Sequence, residues 1–416
     1  MVFIAFRLKA VMSHAVSPSK LLPAAGWLTV LLPVGLMIGN AAAEIFAGLL
    51  VILFIAHTFI HQEWQWLKQD WVRVLLALWG YGLVRALFAD HPAHTFIDAL
   101  GWLRFILLAV ALQTWTLPVP RWRKNMLNAG LITLSWLAGD AIFQYVHGTD
   151  LLGHHMQPVP VRLTASYGKL IVGIMLAWQF LPYALADLER GKRLRAALFT
   201  GLCILAITLS GERMALLLSL VYFALIALWV PKLRRIALMM GLVFALVVSS
   251  IMIANPQLYE RQVASTVHTI RDLPNSPYGM LWRSALDVSR DHPVFGVGMG
   301  NFNMACSDPR YGGNVDIRCA PHPHNIYLQW LTEGGMIALI GFISAMVLVL
   351  RHVWQYARIH RDSYLIMGLA ATLVARLWPI ESSTSFFHGW AAIPFWWALG
   401  WLMAEIRMRN RLNTPA

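Results

Sequence analysis

Charge is scarce in this chain, and cysteine scarcer. Only 13% of its 416 residues are Asp, Glu, Lys or Arg, and there are three cysteines. So few cysteines exclude a zinc ribbon and a disulfide-dense scaffold. So little charge, against 58% hydrophobic residues and 19 tryptophans, excludes a soluble domain, because no globular core could enclose that much apolar side chain. Also missing are a DxD pair, an HExxH helix, a Gly-Lys-Ser/Thr phosphate loop and an outer-face carboxylate pair spaced to chelate Mg²⁺. No small-residue cleavage site follows the first apolar run, so no removable leader is expected.

What the chain has instead is apolar runs. A spanning helix needs about 20 mostly apolar residues, and that length fits twelve times: 21–39, 42–60, 71–89, 96–116, 127–147, 166–186, 195–211, 213–230, 234–254, 326–350, 363–380 and 387–405. The expected fold is an all-α polytopic membrane protein in three parts. Residues 1–254 carry nine helices, 255–325 form a largely helical loop domain outside the membrane, and 326–416 carry three more helices and a tail. The seventh and eighth runs are parted only by Ser210-Gly211-Glu212-Arg213, which reads as a tight hairpin.

The net charge of +13 could suggest a nucleic-acid partner. Most of the 33 cations, however, gather at 7–20, 68, 121–124, 190–195, 232–235, 351–361 and 407–411, which the twelve-helix topology puts on one side. The positive-inside rule makes that side cytoplasmic, with both termini there, and accounts for the charge without nucleic acid. Of the remaining cations, Arg73 is expected to snorkel. Arg85, Arg104 and Arg376, deeper in the spans, are expected to pair with Asp90, Asp98 or Glu381, since an unpaired charge there is costly.

On the outer side, the loop at 148–165 carries His154 and His155. Adjacent histidines cannot point the same way from a regular element, so no metal site is expected there. Val263, Val267 and Ile270 recur at helical spacing, predicting an amphipathic helix on the membrane over 259–273. Ser276-Pro277 reads as an N-cap followed by a first-turn proline, opening a helix to about Arg290. Arg283, Asp287 and Arg290 share a face of that helix, either as a salt-bridge ladder or as an anion-facing surface. The alternate glycines of Pro293 to Phe302 follow no strand, so they read as a close-packing turn rather than a dinucleotide loop. Cys306 and Cys319 share the outer loop and are expected to join in a disulfide, leaving Cys203 free.

Without metal ligands, any phosphate must be held by cations. Arginine suits this because its planar fork binds phosphate oxygens bidentately and keeps its charge. The outer-boundary candidates are Arg162, Lys169, Arg213, Arg283 and Arg290. In His322-Pro323-His324-Asn325, Asn325 can cap the tenth span. His324 then sits at the positive end of a helix, where the dipole favours a neutral ring able to take a proton from a hydroxyl. A hydrogen-bonded structural histidine is the alternative for His324, and more so for His322.

Three stretches in this order resemble the O-antigen ligases, the WaaL family, within the O-antigen ligase and polymerase superfamily: Leu209-Ser210-Gly211-Glu212-Arg213; Arg283 with Asp291 to Phe302; and His322 to Gln329 with Glu333-Gly334-Gly335. The resemblance covers most of the chain and implies a GT-C-like, metal-independent, inverting glycosyltransferase at the periplasmic face of the bacterial inner membrane, needing no cofactor. The donor would be O-antigen on undecaprenyl pyrophosphate, and the acceptor the lipid A core oligosaccharide. Carried over by position, His324 matches the general base, and Arg213 and Arg283 match the pyrophosphate-binding arginines. Arg162, Lys169 and Arg290 join only by charge and side, and His322 and Asn325 as supporting positions. An O-antigen polymerase or a protein O-oligosaccharyltransferase shares these motifs and differs in acceptor. A lipid-glycan transporter would show repeated halves, which the single long loop argues against.

Overall fold

The computed structural model describes residues 20–311, 319–360, 362–381 and 385–413. Arg7, Lys9, Arg318 and Arg361, counted in the charge distribution, lie outside the described residues. The described residues are mostly helical: α1 Leu22–Ile38, α2 Asn40–His61, α3 Asp70–Ala86, α4 Pro92–Ala111, α5 Pro120–His147, α6 Val172–Ala177, α7 Phe180–Glu189, α8 Arg193–Leu209, α9 Arg213–Trp229, α10 Arg234–Ala254, α11 Ser265–Arg271, α12 Pro277–Asp291, α13 Ile326–Ala357, α14 Tyr364–Arg376 and α15 Gly389–Asn413. The sequence punctuates them plainly. Proline opens α4, α5 and α12, where its missing N–H costs nothing, and Gly148 closes α5 in the left-handed region at φ 83°.

Among the described residues, five helices are long and apolar enough to cross a membrane: Asn40–His61, Pro92–Thr116, Pro120–His147, Pro231–Ala254 and Ile326–Ala357. Leu22–Ile38, Arg213–Trp229 and Tyr364–Arg376 are shorter apolar helices. Side chains such as Leu238, Leu242, Leu246 and Ile253 of α10 stay exposed, as lipid-facing residues do. Lipid is as apolar as leucine, so such helices are held together by packing and polar contacts rather than by hydrophobic gain. The centre supplies both. Trp102, Trp330, Trp396 and Phe387 interlock edge to face, with ring centroids 4.8–6.4 Å apart. Arg104 of α4 grips Glu44 of α2 through two bonds of 2.7 and 2.9 Å.

The deep arginines find partners by different routes. Arg376 lies near Glu381, at 4.0 Å, and stacks over Trp178. Arg104 pairs with Glu44 rather than Asp90 or Asp98, because α2 is the neighbour its face meets. Arg85 pairs with no carboxylate among the described residues, and donates to the carbonyls of Phe295 and Gly296 at 3.1 and 2.7 Å.

Two expected spans are broken. The sixth becomes a 3-10 turn at Ala165–Tyr167, the short α6, and α7. The tenth, α13, kinks at Gly335 (φ 69°), and the glycine-rich turn fills the break. Val297 and Gly298 N–H donate to the freed Thr332 and Glu333 carbonyls, and Met336 and Ile337 N–H donate to Pro293 and Val294. A Cβ at Gly296 or Gly335 would overlap the opposing backbone, so the close approach requires glycine at both. Irregular backbone at such depth persists only when every freed group is satisfied, and this turn satisfies four.

Candidate active site

Three segments converge at the end of the bundle where α9 and α13 begin. The first is a two-stranded ribbon, Gln157–Pro158 paired with Val161–Arg162. The second is the α8–α9 hairpin at Ser210 to Arg213. Leu163 N–H donates to Ser210 O at 3.3 Å, and Gly211 (φ 72°) lets the hairpin lie against Val161 O, where a Cβ would overlap. That contact brings Arg162 and Arg213 to one place. The third is the segment before α11. It is not one amphipathic helix: a π-turn at Glu260–Ala264 interrupts it, turning Gln262 inward to donate to Thr208 O at 2.7 Å. Val263 packs beside the Phe244 and Met252 cluster, while Val267 and Ile270 stay exposed. The same turn carries Arg261 in beside the other two arginines.

The result is a concentration of positive charge. Burial, then the fields of Arg213 and Arg162, hold the Arg261 guanidinium below its usual range. Glu212, buried in the hairpin, faces them. Its two oxygens accept Gly173 and Ile174 N–H at 3.0 and 3.1 Å, satisfying the first turn of α6. Burial pushes its carboxyl up to about 7, against the opposing pull of Arg162. Arg213 donates to Ser265 O, Ser265 Oγ and Thr269 Oγ1, each at 3.3 Å. Arg162 Nη2 donates to Leu170 O at 2.9 Å. The Nε atoms of Arg162 and Arg261 are buried without a partner. Two charged donors turned inward and unsatisfied are costly unless a ligand meets them.

Tyr278, in the first turn of α12, acts on Arg261 through its field and lies 6.3 Å from His324, ring centroid to ring centroid. The His322 and His324 rings are 4.3 Å apart. Ser276 caps α12 through Gly279 N–H at 3.1 Å. Asn325 caps α13 through Tyr327 and Leu328 N–H at 3.0 and 3.1 Å, and donates to Pro379 O at 2.6 Å. Held between the buried Pro323 and this anchored cap, His324 takes the left-handed conformation, φ 51°. A non-glycine residue there costs on the order of 1 kcal/mol or more, and such residues gather at functional sites.

The structure does not gather every candidate. Arg290 is exposed and bound to Asp287 at 2.6 Å, one pair of the ladder that their spacing allowed. Arg283 is exposed on α12 and belongs to no ion pair among the described residues. Lys169 is exposed and lies 4.6 Å over the Trp390 ring. Arg261 is the residue that sequence reasoning passed over. The charge was visible, but the π-turn that aims it inward was not. Cys306 and Cys319 are joined, with Cα atoms 5.6 Å apart, and Cys203 is free and buried. Among the described residues no group of three or more His, Cys, Asp or Glu could hold a metal ion.

Residues 198–343 match the family described as O-antigen ligase (Wzy_C). The match takes in Arg213, Arg261, Tyr278, His322 and His324, and leaves Arg162 outside. Among curated proteins, none matches the chain.

Proposed function

We propose, from the match of residues 198–343 to the O-antigen ligase family, that this all-α membrane protein is a glycosyltransferase that moves O-antigen polysaccharide from undecaprenyl pyrophosphate to the lipid A core oligosaccharide. Its twelve passages lie in the bacterial inner membrane, both termini are cytoplasmic, and the His324 end faces the periplasm. His324 takes the proton of the acceptor hydroxyl. The hydroxyl oxygen bonds to the anomeric carbon as the bond from that carbon to the pyrophosphate oxygen breaks, inverting the centre. Undecaprenyl pyrophosphate departs with the electron pair, and Arg162, Arg213 and Arg261 receive its charge. Arg283 lines the approach from α12, and no metal takes part.

The observation that carries this reading is the pair of buried, unpartnered guanidinium donors on Arg162 and Arg261 beside Arg213, with Tyr278 neighbouring both Arg261 and His324. Charge-assisted forks are what a pyrophosphate needs. Purified protein, supplied with lipid-linked donor and core acceptor in excess EDTA, should form the joined product, and His324→Ala should lower the rate by about 10²-fold or more. Full activity in His324→Ala would remove the base, and loss on chelation would remove the metal-free step. Supplying a second lipid-linked glycan or a serine-bearing protein as acceptor separates the ligase from a polymerase and from a protein glycosyltransferase.

A further inference from the structure

A second polar cavity lies at the far end of α13. It has a volume of about 610 Å³ and is lined by Lys68, Asp70, Gln113, His352, Arg407 and Arg411, among others. His352 stands 26 residues along α13 from Ile326, at most about 39 Å at helical rise and less for the kink at Gly335, enough to cross the roughly 30 Å hydrocarbon core of a bilayer. The cavity therefore opens at headgroup level on the side away from His324.

Its lining gathers cations without carboxylate partners. Three other cations at this end are neutralised: Arg195 by Asp187, Arg409 by Glu189 and Glu405, Lys232 by Asp362. Lys68, Arg407 and Arg411 belong to no ion pair among the described residues, and Glu63 reaches Arg407 only through its field. The one carboxylate in the lining, Asp70, is engaged by Trp71 N–H at 2.8 Å and His352 Nε2 at 2.9 Å. Gln113 is 3% exposed. Its Nε2 donates to Gln69 Oε1 at 2.8 Å, while its Oε1 is buried in the lining without a partner. Three free cations call for an anion, and a stranded acceptor calls for a donor on the same molecule. At about 610 Å³ the cavity has room for a phosphorylated headgroup.

We infer that this cavity binds a phosphate ester whose headgroup also carries a hydroxyl or ammonium donor. Lys68, Arg407 and Arg411 hold the phosphate, and Gln113 Oε1 accepts from the donor. A phospholipid headgroup and a soluble glycerophosphate share this chemistry.

Full-length protein in detergent, examined by native mass spectrometry after addition of phosphatidylglycerol, tests it. One retained lipid is expected, with retention lowered at least tenfold in the double variant Arg407→Gln/Arg411→Gln. It should be unchanged in Arg121→Gln/Arg358→Gln, which removes two exposed cations elsewhere at the same end. Equal loss in both double variants, or no loss in the first, overturns the site. Glycerol 3-phosphate that displaces the lipid from wild type at millimolar concentration assigns a soluble source to the same site, and failure to displace assigns the lipid. Phosphatidylglycerol should be retained at least threefold better than phosphatidylmethanol, whose headgroup has no donor, and Gln113→Leu should abolish that preference. Equal retention of the two lipids by wild type overturns the role of Gln113. Should the double variant not purify folded, Lys68→Gln, on an exposed 3-10 turn, carries the test. Unchanged retention there overturns the site.

Discussion

Two groups of arginines at opposite ends of the bundle are treated in opposite ways. Beside α7 and α15, the guanidinium groups of Arg195 and Arg409 each meet a carboxylate: Asp187 for the first, Glu189 and Glu405 for the second. At the His324 end, Arg162, Arg213 and Arg261 crowd around a single carboxylate, Glu212, and two of them bury an unpartnered Nε. Paired charge serves the fold. Charge left unpaired against its own repulsion serves something that arrives later, and it persists only where the surrounding structure fixes it. The same end holds Ala165 and His324, two of the three non-glycine residues with positive φ among the described residues.

The sharpest way to break this comparison is to remove one arginine from each end. Arg261→Ala should lower glycan transfer by about 10²-fold, the scale of losing one donor to a departing anion, with little change in melting temperature because a mutual repulsion is relieved. Arg195→Ala should do the reverse. It strands Asp187, 1% exposed, so the melting temperature should fall while transfer per folded molecule is kept. Transfer rates and thermal unfolding, measured on both variants, decide it. Equal effects on activity would erase the distinction between the ends.

Glu212 allows a pH test of the crowded end. Its folded carboxyl stands at about 7, raised by burial from an ordinary 4.5. The folded state therefore keeps a proton that the unfolded chain releases. This contribution is fully present below about pH 4.5 and is lost as pH rises through 7, on the order of 3 kcal/mol across that window. Thermal unfolding between pH 5 and 8 should show a fall with rising pH that is shallower in Glu212→Gln. An identical slope in the variant would mean that Glu212 is already ionised in the folded protein. The disulfide gives a change of similar size and no pH dependence. Cys306→Ser/Cys319→Ser opens a short loop, should cost about 3 kcal/mol, and should act on the segment between α12 and α13 without touching the arginines.

How much of this could be read beforehand follows the range of the interactions. Caps are local: Ser276-Pro277 and Asn325 announced their helices within four residues, and the Ser210 to Arg213 hairpin was set by a glycine and the length a span allows. The disulfide needed only that two cysteines share a loop. The kink at Gly335 could not be read, because it depends on a turn some forty residues earlier that supplies four hydrogen-bond partners. Nor could the orientation of Arg261. Periodicity assigned its segment to one straight helix, and a single π-turn rotates everything beyond it, which no count of apolar residues detects. The left-handed φ of His324 was hidden for a related reason: the residue type does not demand it, and the anchored cap imposes it.

The smallest effect marks where the crowded end stops. Arg290 shares a helix with Tyr278, and the spacing of Arg283, Asp287 and Arg290 allowed an anion-facing surface. In the fold its side chain is 74% exposed and bound to Asp287 three residues away. Such pairs contribute about 0.3–0.5 kcal/mol, and a solvated charge at that exposure is largely screened. Arg290→Ala should therefore leave the melting temperature within a degree or so and transfer within twofold of wild type. Measured beside Arg283→Ala, which removes the unpaired arginine of the same helix, it separates the two. A loss confined to Arg283→Ala extends the anion site up α12 by one residue. A tenfold loss in Arg290→Ala would mean that the Asp287 pair opens when donor binds, and would add Arg290 to the proposed anion site.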